Sequence, residues 1–97
     1  MSRINQIKKT LESQKKYLKK KYKIREIGIF GSYIRGEQKK RSDVDILVEF
    51  EEEPGLLTFI EIENYLGDIL NAKVDLVMKD ALKPVIGRSI LKEVITV

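Results

Sequence analysis

The chain has 97 residues, 42% hydrophobic and 35% charged, with 19 Lys and Arg against 15 Asp and Glu for a net charge of +4. That length makes one domain, residues 1–97, with one modest core and no room for a second substrate-binding domain. Cysteine and histidine are both absent, which excludes disulfides, thiolate zinc sites and Ser-His or Cys-His catalysis. Any chemistry must run on carboxylates, hydroxyls, lysine, arginine and backbone amides. No apolar run reaches the length of a membrane span, and Arg3, Lys8 and Lys9 sit on a helical pattern unlike a signal peptide. The sequence therefore reads as cytoplasmic, with no membrane partner. Its charge is uneven: residues 1–25 carry ten Lys and Arg against the single acid Glu12, whereas residues 49–97 carry five against ten acids. The basic end suits nucleic acid, an acidic partner face, or simply solvent.

Ile4, Ile7, Leu11, Leu18 and Tyr22 recur at spacings of three, four or seven, predicting an amphipathic helix over about residues 3–21 with Ser2 as its N-cap. Ile24, Ile27, Ile29 and Phe30 then form a first strand ending at Gly31. Ser32 to about Gln38 reads as a short helix, and Lys39-Lys40-Arg41 as a charged loop. Val44, Ile46, Val48 and Phe50 alternate with Asp43, Asp45, Leu47 and Glu49, the pattern of a second strand. Glu51 to Gly55 is a loop. Leu56, Phe59, Ile60, Leu66, Ile69 and Leu70 mark a long helix stopping near Asn71. Val74 to Met78 is a third strand, and Leu82, Ile86, Ile90 and Val94 mark a terminal helix with Pro84 in its first turn. This order predicts an α/β (α+β) fold, a small mixed β-sheet of about three to four strands flanked by helices.

Asp43 and Asp45 lie two apart on a strand, so their carboxylates share a face. Mg²⁺ takes hard oxygen ligands and is commonly held by one or two carboxylates plus substrate phosphates. Without a cation the two would repel each other. Asp75 would add a third carboxylate if its strand neighbours the second, and three carboxylates can hold two ions, one at an attacking hydroxyl and one at a leaving pyrophosphate. Gly31-Ser32, between a strand and a helix, supplies the complement: a glycine permits close approach of phosphate to the backbone, and a helix N-terminus offers unpaired amides. Taken singly, an Asp-x-Asp is a pair of surface acids and a Gly-Ser is a turn with an N-cap. Their succession at a spacing of eleven residues is the informative feature.

The stretch Gly31-Ser32-Tyr33-Ile34-Arg35-Gly36-Glu37, then Ser42-Asp43-Val44-Asp45-Ile46-Leu47-Val48, and later Val74-Asp75-Leu76-Val77, resembles the minimal nucleotidyltransferase family of the DNA polymerase beta-like superfamily. The resemblance runs over about residues 24–97. It implies the nucleotidyltransferase fold, with Gly31 and Ser32 contacting the triphosphate of ATP and Asp43, Asp45 and Asp75 binding Mg²⁺, two ions in all. Asp75 would double as base for the acceptor hydroxyl. Arg35 would pair with phosphate or form a structural salt bridge, and Ser42 would hydrogen-bond locally ahead of Asp43. Ile34 stands where relatives often carry a smaller residue, a change in packing rather than chemistry. Minimal members of the family commonly serve as antitoxins to ribonuclease toxins of the HEPN type, silencing them by placing AMP on a tyrosine. An interaction protein that neutralises a partner by covering it, its acids binding nucleotide or metal without turnover, is the competing expectation. A third is a nucleic-acid module built on residues 3–25, with Tyr17 and Tyr22 as stacking platforms. Five apart on a helix, they share a face poorly, and Tyr22 follows the core stripe, so direct nucleic-acid binding is not the expected role.

Overall fold

The spacing of apolar residues in the N-terminal segment is realised as helix α1 (Arg3–Tyr22), whose Ile7, Leu11, Leu18 and Tyr22 are buried while most of its lysines face outward. The computed structural model describes residues 3–31, 43–82 and 84–97; the expected N-cap Ser2, the short helix from Ser32 and the turn residue Ser42 lie outside them. Lys23, in the left-handed region at φ 58°, breaks the helix and feeds strand β1 (Ile24–Phe30). Strand β2 (Val44–Phe50), helix α2 (Leu56–Leu70), strand β3 (Val74–Met78), a 3-10 turn (Lys79–Ala81), helix α3 (Pro84–Glu93) and strand β4 (Ile95–Thr96) follow.

The four strands form one mixed sheet in the order β3-β2-β1-β4. β1 runs antiparallel to both β2 and β4, and β2 runs parallel to β3. Strand alternation divides the side chains between two faces. Ile27, Ile29, Val44, Ile46, Val48, Val74 and Leu76 join Ile7, Leu11, Leu18, Ile62, Leu66 and Leu70 of α1 and α2 in the core. Gly28, Phe30, Asp45, Leu47, Asp75 and Val77 are left for the opposite face. The two core helices are pinned at their ends. Asn71, at φ 51°, stops α2 in a left-handed cap, and the Arg3 guanidinium donates to the Leu70 carbonyl at 2.7 Å, a cation where the helix dipole is negative. Tyr65 donates to Gln14 Oε1 at 2.6 Å across the helix pair. Glu63 accepts the Leu76 amide at 3.0 Å, occupying part of the open edge of β3.

The expected terminal helix is shorter than its apolar spacing suggests. Val94 leaves the helix, and Ile95 and Thr96 pair with Ile29 and Gly28 as a fourth strand. Gly28 makes this possible, because a Cβ there would lie 2.7 Å from Val94 Cγ2 and 3.0 Å from the Ile95 carbonyl oxygen. On α2, Leu66 is buried and Phe59 and Tyr65 are half-buried, whereas Leu56 and Leu57 are 74% and 82% exposed.

Tyr17 and Tyr22 meet edge to face, centroids 6.5 Å apart at 84°, with Tyr22 buried. They do not form a pair of parallel stacking platforms. Burial, reinforced by a hydrogen bond to the Glu61 carboxylate, pushes the Tyr22 phenol above its ordinary 10.0. The folded chain thus holds this proton more tightly than the unfolded chain, so its contribution is complete below pH 10 and is lost as pH rises through the raised value. Urea unfolding across that alkaline window should show stability falling, and Tyr22→Phe should flatten the fall. An unchanged slope in the variant would assign the alkaline loss to other groups.

Candidate functional site

Gly31 ends β1 at φ +83° and is buried. A side chain there would collide with Asp45, its Cβ lying 2.8 Å from Asp45 Cγ. The glycine expected at a phosphate contact is therefore also the residue whose missing side chain lets the Asp45 carboxylate sit against the end of β1. The sequence pattern carried the first implication but not the second.

The register assembles the rest of the carboxylates. Phe30 pairs with Asp45 across β1 and β2, and Asp45 pairs with Asp75 across β2 and β3. The Val44 amide donates to the Lys73 carbonyl at 2.9 Å, tying the starts of β2 and β3 together. Adjacent strands lie about 4.8 Å apart, so Asp45 and Asp75 project side by side from the face opposite the α1–α2 core. Asp43 lies immediately before β2, two residues ahead of Asp45. Asp43 and Asp45 are half-buried and Asp75 is exposed. Adjacency of the second and third strands, the condition on which Asp75 joins the set, is met. Ser32 and Arg35 lie outside the described residues.

The donor set is made wholly of hard carboxylate oxygens, which suits Mg²⁺ rather than a soft metal. Beside it, the Asp45 carboxylate occupies the space that a Cβ on Gly31 would fill. Among the described residues no group of three or more acidic side chains is placed to hold a metal ion, and Asp45 and Asp75 match Mg²⁺ through the hard chemistry of their oxygens alone.

One neighbour of the site was missed by sequence reasoning. Glu93, the last residue of α3, accepts the Gly31 amide proton through Oε2 at 3.1 Å. Nothing in the sequence pattern marks it, because the contact spans 62 residues and depends on the β1–β4 pairing. Farther along the same face, a cleft of about 120 Å³ lies between Gly28 and Leu47 of the sheet and Leu91 and Val94 at the end of α3. Its rim carries Glu49, which is bridged by Arg25 at 3.5 Å and Lys79 at 3.3 Å.

Comparison with known proteins adds independent findings. The Nucleotidyltransferase domain family matches residues 11–97. A Thermococcus cleftensis protein named protein adenylyltransferase MntA is 53% identical over 97 residues, covering 100% of this chain and 98% of that protein. A crystal structure described as a toxin-antitoxin with AMP-PNP is similar at 27% identity and a TM-score of 0.70, over 95% of this chain and 69% of that one. A structure described as a tri-AMPylated Shewanella oneidensis HEPN toxin in complex with MNT antitoxin shares the fold, at 23% identity and a TM-score of 0.62, over 97% of this chain and 67% of that one.

Proposed function

Since this chain belongs to the nucleotidyltransferase domain family, we propose that it is an antitoxin that transfers AMP from ATP to a tyrosine hydroxyl of a cognate HEPN-type ribonuclease toxin. The observation that carries this reading is the pairing of Asp45 with Asp75 across β2 and β3, with Gly31 set against Asp45. The name of the Thermococcus relative supports protein as the acceptor, and the toxin-antitoxin crystallised with AMP-PNP supports an adenine nucleotide. No described helix is long and apolar enough to cross a membrane, and we place the reaction in the cytoplasm, where ATP and Mg²⁺ are both available.

In this mechanism Asp43, Asp45 and Asp75 would hold Mg²⁺, two ions in all, and the metal would supply charge neutralisation at the triphosphate and a more acidic acceptor hydroxyl. The tyrosine oxygen forms a bond to the α-phosphorus, and the bond from that phosphorus to the bridging oxygen of pyrophosphate breaks. Asp75, the most exposed of the three acids, takes the hydroxyl proton. Gly31, Ser32 and Arg35 hold the phosphates, Gly31 by letting them approach the backbone.

The test uses the purified chain, the co-encoded partner, ATP and Mg²⁺. The partner's intact mass should rise by one or more AMP units, its ribonuclease activity should fall in step, and a chelator should abolish both changes. A partner silenced with no gain in mass would sink the transferase reading in favour of neutralisation by complex formation. The exposed Leu56 and Leu57 at the start of α2 favour physical contact with a partner under either account.

A further inference from the structure

The hydrogen bond between Glu93 and Gly31 has a specific origin in the sheet. Ile29 pairs with Ile95 in the antiparallel β1–β4 ladder, so the next rung outward would join residue 31 to residue 93. Residue 93 is still helical, and its backbone cannot supply that rung. The Glu93 side chain takes the vacant place, accepting the Gly31 amide proton at 3.1 Å. The same junction is pressed onto β1 at a second point, where Gly28 leaves the room used by Val94 and Ile95.

Gly31 needs such a restraint. Glycine populates positive and negative φ about equally, and this one must stay at +83° to keep its open side toward Asp45. Fixing its amide fixes the Phe30–Gly31 peptide plane, against which the φ of Gly31 is measured. We infer that Glu93 is a positioning residue for nucleotide binding, acting through Gly31 rather than touching the nucleotide. The inference rests on the reading of Gly31 as a phosphate contact.

Two measurements test it on the full chain with Mg²⁺: calorimetric binding of a non-hydrolysable ATP analogue, and steady-state AMP transfer to the partner. Removing the carboxylate that anchors the Gly31 amide in Glu93→Ala should weaken analogue binding and raise KM for ATP roughly tenfold. The turnover number should stay within about twofold, since no group at the reacting atoms is removed. Glu93→Gln should bind within about threefold of the wild type, because its amide oxygen accepts the same bond. A folded Glu93→Ala protein with wild-type affinity would overturn the inference. So would tighter binding on removal of the charge, or a Glu93→Gln defect equal to that of Glu93→Ala. A Glu93→Ala chain that does not fold would make the contact purely structural and overturn it as well. If the wild type binds the analogue but transfers no AMP, the transferase reading fails, while the binding arm still decides the role of Glu93.

Discussion

Asp45→Asn is expected to cut AMP transfer by roughly a thousandfold, equivalent to about 4 kcal/mol of lost transition-state stabilisation, with little effect on folding. Asp45 is central to the acidic row: it pairs with Phe30 on one side and with Asp75 on the other. Asparagine keeps its size and shape but removes the anionic oxygen on which a hard cation depends. The substitution leaves the core intact, because the hydrophobic residues flanking Asp45, Val44 and Ile46, point to the other face and are fully buried there. The thermal midpoint should remain within a few degrees of the wild type. Radiolabelled AMP transfer and calorimetry on the same preparation would check both halves. Transfer at wild-type rates would remove Asp45 from the metal set, and a collapse of the midpoint would recast it as a structural residue.

The partner adds a way to separate catalysis from contact. Asp45→Asn keeps the exposed Leu56 and Leu57 surface and the basic α1, so the variant should still bind the partner while failing to modify it. Complete neutralisation of the partner by this variant would show that covering it is sufficient.

Those parts of the fold that rest on local periodicity were legible in the sequence. Ile7, Leu11, Leu18 and Tyr22 read as one helical stripe and are the buried residues of α1. Val44, Ile46 and Val48 read as one strand face and are fully buried. Asn71 read as the end of α2 and caps it at positive φ. What escaped has no local periodicity behind it. A two-residue strand at Ile95–Thr96 offers too little alternation to register, and it exists because Gly28, nearly seventy residues earlier in the chain, lets it approach. The site divides in the same way. The face of Asp45 follows from the alternation along β2, whereas the place of Asp75 depends on which strand lies beside β2. Glu93 depends on a ladder rung completed by a side chain, an arrangement that leaves no pattern to read.

Gly31→Ala tests whether the cradle and the carboxylate are mechanically coupled. Two separate costs are expected. An alanine at φ +83° loses about 1 kcal/mol from backbone crowding alone. Its Cβ would also lie 2.8 Å from Asp45 Cγ, forcing the aspartate or the end of β1 to move. Together these should lower stability by about 1–3 kcal/mol. Displacing one acid by even an ångström should cost transfer about a hundredfold. The steric part can be isolated by making the same change in an Asp45→Ala background, where Cγ and its oxygens are gone. There the stability cost of Gly31→Ala should shrink toward the backbone part, although the contact to Cβ at 3.1 Å remains tight. The difference between the two backgrounds is the interaction energy between positions 31 and 45. Equal costs in both would mean that Asp45 does not rest against Gly31, and the explanation for a glycine at the end of β1 would reduce to its backbone conformation.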